Sequence, residues 1–145
     1  MAYIKHIERY VLIFGDEVLN RVIIEETVPE IDFRPSKVMN DIKIYFTGKN
    51  VDFTRYDVDL TGLTDFEREV LVETRRIPYG SVKTYTGLAE MVGRPKAVRA
   101  VGNALRKNPL PLVIPCHRVV GKNGIGGYSS GRGIKERLLK LEGIL

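Results

Sequence analysis

The second half of this 145-residue chain is punctuated so strictly by helix caps and stops that few folds can accommodate it. Thr64-Asp65-Phe66-Glu67 has the spacing of a capping box, in which the Thr hydroxyl and the Glu carboxylate satisfy each other's free amides. Phe66, Val70 and Leu71 then form an apolar stripe that runs to the turn Pro78-Tyr79-Gly80. Thr84 caps a second helix expected over Tyr85 to Val92, and Gly93 stops it. Pro95 opens a third, in a first turn where a missing amide costs nothing, and Asn108-Pro109 ends it near Lys107. Helix, short turn, helix is the helix-turn-helix arrangement.

The first half reads differently. Val11-Leu12-Ile13-Phe14, Gly15-Asp16 and then Glu17 to Glu25 predict two strands joined by a tight turn. From Ser36, a helix cap, apolar residues recur as Val38, Ile42, Tyr45 and Phe46 until Gly48, and residues 51–58 predict a short strand. The expectation is an α+β protein of two small domains. Residues 1–58 form an α/β module without a catalytic motif, and residues 59–145 form a mostly helical domain. With 43% hydrophobic residues a packed core is within reach. The single cysteine, Cys116, excludes an intrachain disulfide and a multi-cysteine zinc site. No stretch of eighteen apolar residues occurs, so neither a signal peptide nor a membrane span is expected, and the reducing cytoplasm is the expected compartment.

Charge divides the chain in the same place. Residues 1–58 carry 8 basic and 10 acidic side chains and residues 59–145 carry 15 and 8, so the halves stand at −2 and +7. Such asymmetry points to an anionic partner for the second half, nucleic acid being the commonest. The third helix gives the charge a place. Val98, Val101 and Leu105 recur on one side, whereas Lys96, Arg99, Asn103 and Arg106 recur on the other, with no acid among them. A solvated helix normally mixes signs. A row of long cations with one amide suits a helix lying on phosphate-lined DNA.

Cys116 follows the apolar run Leu110-Pro111-Leu112-Val113-Ile114-Pro115 and precedes His117-Arg118. Pro115 holds Ile114 extended, so the thiol is expected at the start of a helical turn, where free amides, His117 and Arg118 favour thiolate. A lone cysteine is usually an inert small hydrophobe. Polar neighbours in a segment apolar enough to be buried argue against that, because unpaired burial of such groups is costly. A thiolate beside an imidazole fits a cysteine hydrolase or an alkyl acceptor, and spacing alone leaves both open.

Pro115-Cys116-His117-Arg118-Val119-Val120 resembles the active-site signature of the O6-alkylguanine-DNA alkyltransferases, the suicide methylguanine repair proteins. Ile77-Pro78-Tyr79-Gly80, Thr84-Tyr85, Leu88-Ala89, Arg99-Ala100-Val101-Gly102 and Asn108-Pro109 carry the resemblance upstream. Gly127-Tyr128-Ser129, Lys135, Leu138-Leu139 and Glu142 carry it downstream. It covers nearly all of residues 62–143, while the first sixty match only in size and α/β pattern.

The resemblance implies a ribonuclease H-like amino-terminal module and a winged helix-turn-helix-like domain that grips duplex DNA through the minor groove. It implies a single-turnover transfer of the alkyl group from O6-alkylguanine, and also O4-alkylthymine, to Cys116. Thiolate would form through His117, a bridging water and Glu142. Arg99 would fill the gap left by the flipped base, Tyr85 would donate to that base, and Asn108 would brace the active-site segment. Tyr128 and Ser129 would wall the guanine pocket, and Thr86, Arg94, Asn103, Arg118 and Lys122 would add DNA contacts. The pocket departs from the family's frequent pattern at Tyr128-Ser129-Ser130-Gly131-Arg132. Residues 1–58 offer no metal-binding set beyond His6, so neither metal nor cofactor is implied. A monomer in a prokaryotic cytoplasm is the expectation, and the presence of Cys116 sets the chain apart from the cysteine-less relatives.

Overall fold

A computed structural model describes residues 2–6, 9–15, 18–25, 37–128 and 131–145. It is a mixed α+β structure. Three strands, β1 (Ala2–His6), β2 (Arg9–Gly15) and β3 (Val18–Glu25), form an antiparallel meander, and β4 (Asp57–Val58) adds to β3 in parallel. The hairpin foreseen over residues 11–25 is therefore present. β1 has no counterpart in the sequence expectation.

Helix α1 (Lys37–Phe46) buries Val38, Ile42, Tyr45 and Phe46, the four residues whose spacing predicts it. Gly48, at φ +89°, ends it by donating its amide to the Tyr45 carbonyl at 2.9 Å, a conformation that costs glycine no Cβ clash. The expected cap, Ser36, lies outside the described residues. The strand expected over residues 51–58 is mostly a different element. Asp52 accepts the Thr54 amide at 2.9 Å, which winds Phe53–Arg55 into a 3-10 turn and leaves only β4 in the sheet. A side chain that offers the backbone a local partner has outcompeted the ladder.

Helix α2 (Asp65–Arg75) begins with the predicted capping box, Thr64 and Glu67 each accepting the other's backbone amide at 3.2 and 3.0 Å. Glu67 also pairs with Lys107 at 2.7 Å and so ties the start of α2 to the end of the last helix of the trio. Strand β5 (Lys83–Thr84) leads into α3 (Tyr85–Met91), capped by Thr84 as expected. Helix α4 (Val98–Arg106) starts three residues after Pro95. Pro95 instead occupies a turn closed by the Ala97 amide on the Arg94 carbonyl at 2.9 Å, the other position that a fixed φ suits. Lys96 is thus in the turn and not on the helix.

After α4 the chain passes through residues 107–115 to a 3-10 turn, Cys116–Arg118, then β6 (Val119–Val120) and α5 (Arg132–Leu141). β6 pairs in parallel with β5. The Val22 amide donates to the Pro109 carbonyl at 2.8 Å, so the first sheet holds the segment that leads to the cysteine. One continuous apolar cluster runs from Leu19 through α1, α2, α3 and α4 to Leu138 on α5. The site lies against that shared core.

Candidate active site

The cysteine sits on its turn as the sequence predicts, but its surroundings favour thiol more than charge alone suggests. Cys116 is 6% exposed, and burial pushes its pKa up. Opposing this, the Asn108 side-chain amide donates to Sγ at 3.1 Å, and the Lys135 ammonium lowers the thiol electrostatically. Asn108 is more than a helix stop. Its other amide bond goes to the Ile114 carbonyl at 2.9 Å, and its oxygen accepts the Leu110 amide at 2.9 Å, so one side chain fixes both ends of the segment before Cys116. Leu112, in the middle of that segment, holds φ +75°, a left-handed conformation costly for a branched side chain.

His117 and Arg118 do not flank the sulfur as surface cations. On a tight turn successive side chains diverge, and both point into the interior toward Glu142, the residue that caps α5. His117 Nε2 lies 2.5 Å from Glu142 Oε2, with the imidazole 0% exposed. Arg118 donates from Nε to Oε1 at 2.8 Å, and its remaining donors reach Oε2 at 3.3 Å and the Ile77 carbonyl at 2.8 Å. Arg118 is therefore a buried counter-ion, and its assignment as a DNA contact is corrected: at 6% exposure its guanidinium is consumed inside the protein. Glu142, in turn, is no partner of Lys135 or Lys140. Lys140 pairs with Glu136 at 3.2 Å.

The protonation states follow from these contacts. Burial pushes Glu142 up, but hydrogen bonds from His117, Arg118 and Tyr45 outweigh it and hold the carboxyl at about 2. Burial lowers the His117 pKa, against the pull of Glu142, so the ring is neutral. With its proton on Nε2 and aimed at the carboxylate, its Nδ1 is a base, and that atom is buried without a hydrogen-bond partner among the described residues. Lys135 is wholly buried and donates to the Val119 and Gly127 carbonyls at 2.6 and 3.0 Å, with the Tyr85 hydroxyl at 3.5 Å. Burial lowers it to about 8 while the nearby cysteine resists that fall.

Both groups of the His117–Glu142 pair have folded pKa values below their unfolded ones, so each contributes stability that acid removes. Stability is expected to decline as pH drops below the ordinary imidazole value of 6.5, then further between 4.5 and about 2 as Glu142 protonates. The Glu142 step amounts to about 3 kcal/mol at most. Thermal melts from pH 7 to pH 3 will read it, and a flat melting temperature across that range would refute the neutral-imidazole, ionised-carboxylate assignment.

Beside the sulfur is a cavity of about 400 Å³ lined by Tyr85, Gly102, Leu105, Arg106, Cys116, Gly127 and Tyr128. Tyr85 enters at the start of α3, carried there by the β5–β6 pairing. Its hydroxyl touches Gly126, where a Cβ would come within 2.7 Å and where φ is +78°. Only glycine fits against that tyrosine. The Tyr128 hydroxyl is buried facing Cys116, whose thiol it helps to lower, and has no closer hydrogen-bond partner among the described residues; Ser129 lies outside them. On α4, Arg99, Asn103 and Arg106 are exposed while Val101, Ala104 and Leu105 are buried, so the acid-free face is a surface. Thr86 and Lys122 are exposed, and Arg94 is exposed with its guanidinium 5.3 Å over the Phe66 ring. Among the described residues no group of three His, Cys, Asp or Glu side chains could hold a metal.

The family model described as "6-O-methylguanine DNA methyltransferase, DNA binding domain" matches residues 65–144. A probable methylated-DNA–protein-cysteine methyltransferase of Acanthamoeba polyphaga mimivirus is 41% identical over 133 residues, 91% of this chain and 89% of the relative. The methylated-DNA–protein-cysteine methyltransferase of Archaeoglobus fulgidus is 42% identical over 124 residues, 81% of this chain and 82% of the relative. The chain belongs to the O6-methylguanine DNA methyltransferase family. The crystal structure of Mycobacterium tuberculosis OGT in complex with DNA superimposes with a TM-score of 0.83 at 32% identity, covering 97% of this chain and 91% of that one.

In this methyltransferase-family chain the matched segment holds Tyr85, Asn108, Cys116, His117, Lys135 and Glu142. One contact of the buried cluster comes from outside it. The Tyr45 hydroxyl on α1 donates to Glu142 Oε2 at 2.6 Å and lies 3.4 Å from His117 Nε2. The sequence pattern identifies Tyr45 only as part of the core stripe of α1. The available signal was its hydroxyl, which a fully buried tyrosine must satisfy somewhere.

Proposed function

We propose that the chain repairs DNA by taking the alkyl group of O6-alkylguanine, and of O4-alkylthymine, from duplex DNA onto Cys116, once per molecule. The observation that carries the reading is the sulfur at the wall of a cavity between two tyrosines, backed by Asn108 and by a buried His117–Glu142 pair. The site takes the thiol proton through a water from Cys116 to His117 Nδ1, with Glu142 steadying the imidazolium. Sγ attacks the alkyl carbon in one displacement. The S–C bond forms as the C–O6 bond breaks, and Tyr85 donates to the base, so that guanine leaves neutral. Asn108 keeps the sulfur aimed.

Residues 59–145 are the working domain, a winged helix-turn-helix in which α3 and α4 face the minor groove and β5–β6 is the wing. Residues 1–58 form a ribonuclease H-like companion. Arg99, Asn103, Thr86, Arg94 and Lys122 line the DNA side, and the acid-free face of α4 supports their assignment. A base rotated out of the stack enters the cavity, Tyr128 and Ser129 wall it, and Arg99 takes the vacated space. Among the described residues no helix is long and apolar enough to cross a membrane, and we place the protein in a prokaryotic cytoplasm as a monomer without cofactor or metal.

The test is mass. Mixed with excess duplex containing one O6-methylguanine, the intact protein should gain one methyl group and no more, and peptide mapping should locate it on Cys116. An unshifted mass on a protein whose thiol titrates would end this reading, and release of many product molecules per protein would favour a hydrolase.

A further inference from the structure

Tyr45 comes from the half of the chain in which the sequence offers no catalytic motif, yet its hydroxyl ends inside the reactive cluster. The ring is 1% exposed and packs edge-on against Phe46, Phe53 and Tyr79, with centroids 5.4, 6.0 and 6.1 Å away. A phenylalanine would satisfy that packing. The hydroxyl adds the 2.6 Å bond to Glu142 Oε2 and the 3.4 Å approach to His117 Nε2. The five hydrogen bonds around the carboxylate, from four residues, are arranged by oxygen. Oε1 receives Arg118 Nε at 2.8 Å and the Gly80 amide at 3.2 Å, whereas Oε2 receives His117 Nε2 at 2.5 Å, Tyr45 at 2.6 Å and the longer Arg118 bond at 3.3 Å.

Tyr45 and His117 therefore share one oxygen, 97 and 25 residues from Glu142 in sequence. A carboxylate oxygen that already accepts a phenol proton is a weaker base toward the imidazole, so it orients the Nε2–H without pulling that proton away. Burial and the adjacent carboxylate drive the Tyr45 phenol far above its ordinary range, which makes it a permanent donor.

We propose that Tyr45 is a positioning residue for alkyl transfer: by occupying Glu142 Oε2 alongside His117 it fixes the neutral imidazole with Nδ1 free as the base for Cys116. The amino-terminal module thereby completes the activation of a cysteine it does not contain. The proposal rests on the alkyl-transfer reading above. The titratable and charged groups that face the His117–Glu142 pair are Arg118 from the turn, Lys135 from α5, and Tyr45 and Tyr79, and of these side chains Tyr45 is the one that reaches the oxygen shared with His117 as an uncharged donor.

The experiment uses Tyr45→Phe in the full chain, which keeps the ring. Three quantities are read: the transfer rate from a methylated duplex and from free O6-benzylguanine, the dissociation constant for duplex, and the His117 ring titration by nitrogen NMR, assigned against His6→Gln. Transfer should slow about tenfold on both substrates, as the loss of one hydrogen bond to a charged group allows. The dissociation constant should stay the same and the His117 titration should move to higher pH. A folded variant with unchanged rate, an unchanged His117 titration, or a rate loss matched by lost DNA affinity would each overturn the proposal. If the unmutated protein never methylates Cys116, the alkyl-transfer reading fails by that result alone, while the His117 titration still decides what Tyr45 does to the imidazole.

Discussion

Glu142→Gln will both loosen the fold and disarm the thiol. The substitution preserves volume but leaves Arg118 in the interior facing an amide, and the breaking of a buried ion pair from one side costs about 3–5 kcal/mol. For a domain of this size that lowers the melting temperature by about 10 °C. The chemical effect is separate. A glutamine can present its amide N–H to His117 Nε2, which then accepts and places the ring proton on Nδ1, the wrong side for a base. Transfer should fall at least about 100-fold, the usual contribution of a positioned general base. Stopped-flow rates at 25 °C beside a melting curve will separate the two. A variant that melts lower but transfers at the original rate would reduce Glu142 to a structural counter-ion.

Arg99→Ala should divide the substrates. If the guanidinium occupies the space of the extruded base, its loss exposes the reaction to the full cost of holding a base unstacked, a few kcal/mol. At about 1.4 kcal/mol per decade this is on the order of 100-fold in duplex repair. Free O6-benzylguanine needs no extrusion and should react within about threefold of the original rate, a difference too small for any flipping term. Arg99 is exposed on α4 and does not line the cavity, so a local distortion of the pocket is not expected. Equal losses on both substrates would show that the arginine supports the pocket and not the DNA.

The elements that are legible in the sequence are those whose determinants are close together. The Thr64 capping box, the Thr84 cap and the Gly48 stop each close a hydrogen bond over three residues, and each is found where its spacing puts it. Pro95 misleads because a fixed φ suits both a helix start and a turn, and only the packing of α4 decides between them. Residues 51–58 mislead because alternating apolar residues imitate a strand, while Asp52 supplies a local alternative.

At the site, the place of Cys116 on a turn is legible and the geometry of its neighbours is not. His117 and Arg118 adjoin Cys116 in sequence, which suggests neighbours of the sulfur. The turn instead sends both inward to a carboxylate 24 or more residues away. Tyr45 is beyond any pattern reading, because the periodicity that makes it a core residue carries no information about where its hydroxyl ends.

The separation of these residues bears on how the protein is made. The bonds that meet at Glu142 close loops of 24 to 97 residues, so the reactive arrangement is among the most non-local in the chain and cannot precede global folding. Until residue 142 has been joined and the chain has folded, neither a polarised imidazole nor a walled cavity is present around Cys116. During that interval the thiol is an ordinary cysteine with an ordinary cysteine's reactivity. A reagent that can be spent only once is thereby kept unarmed through synthesis.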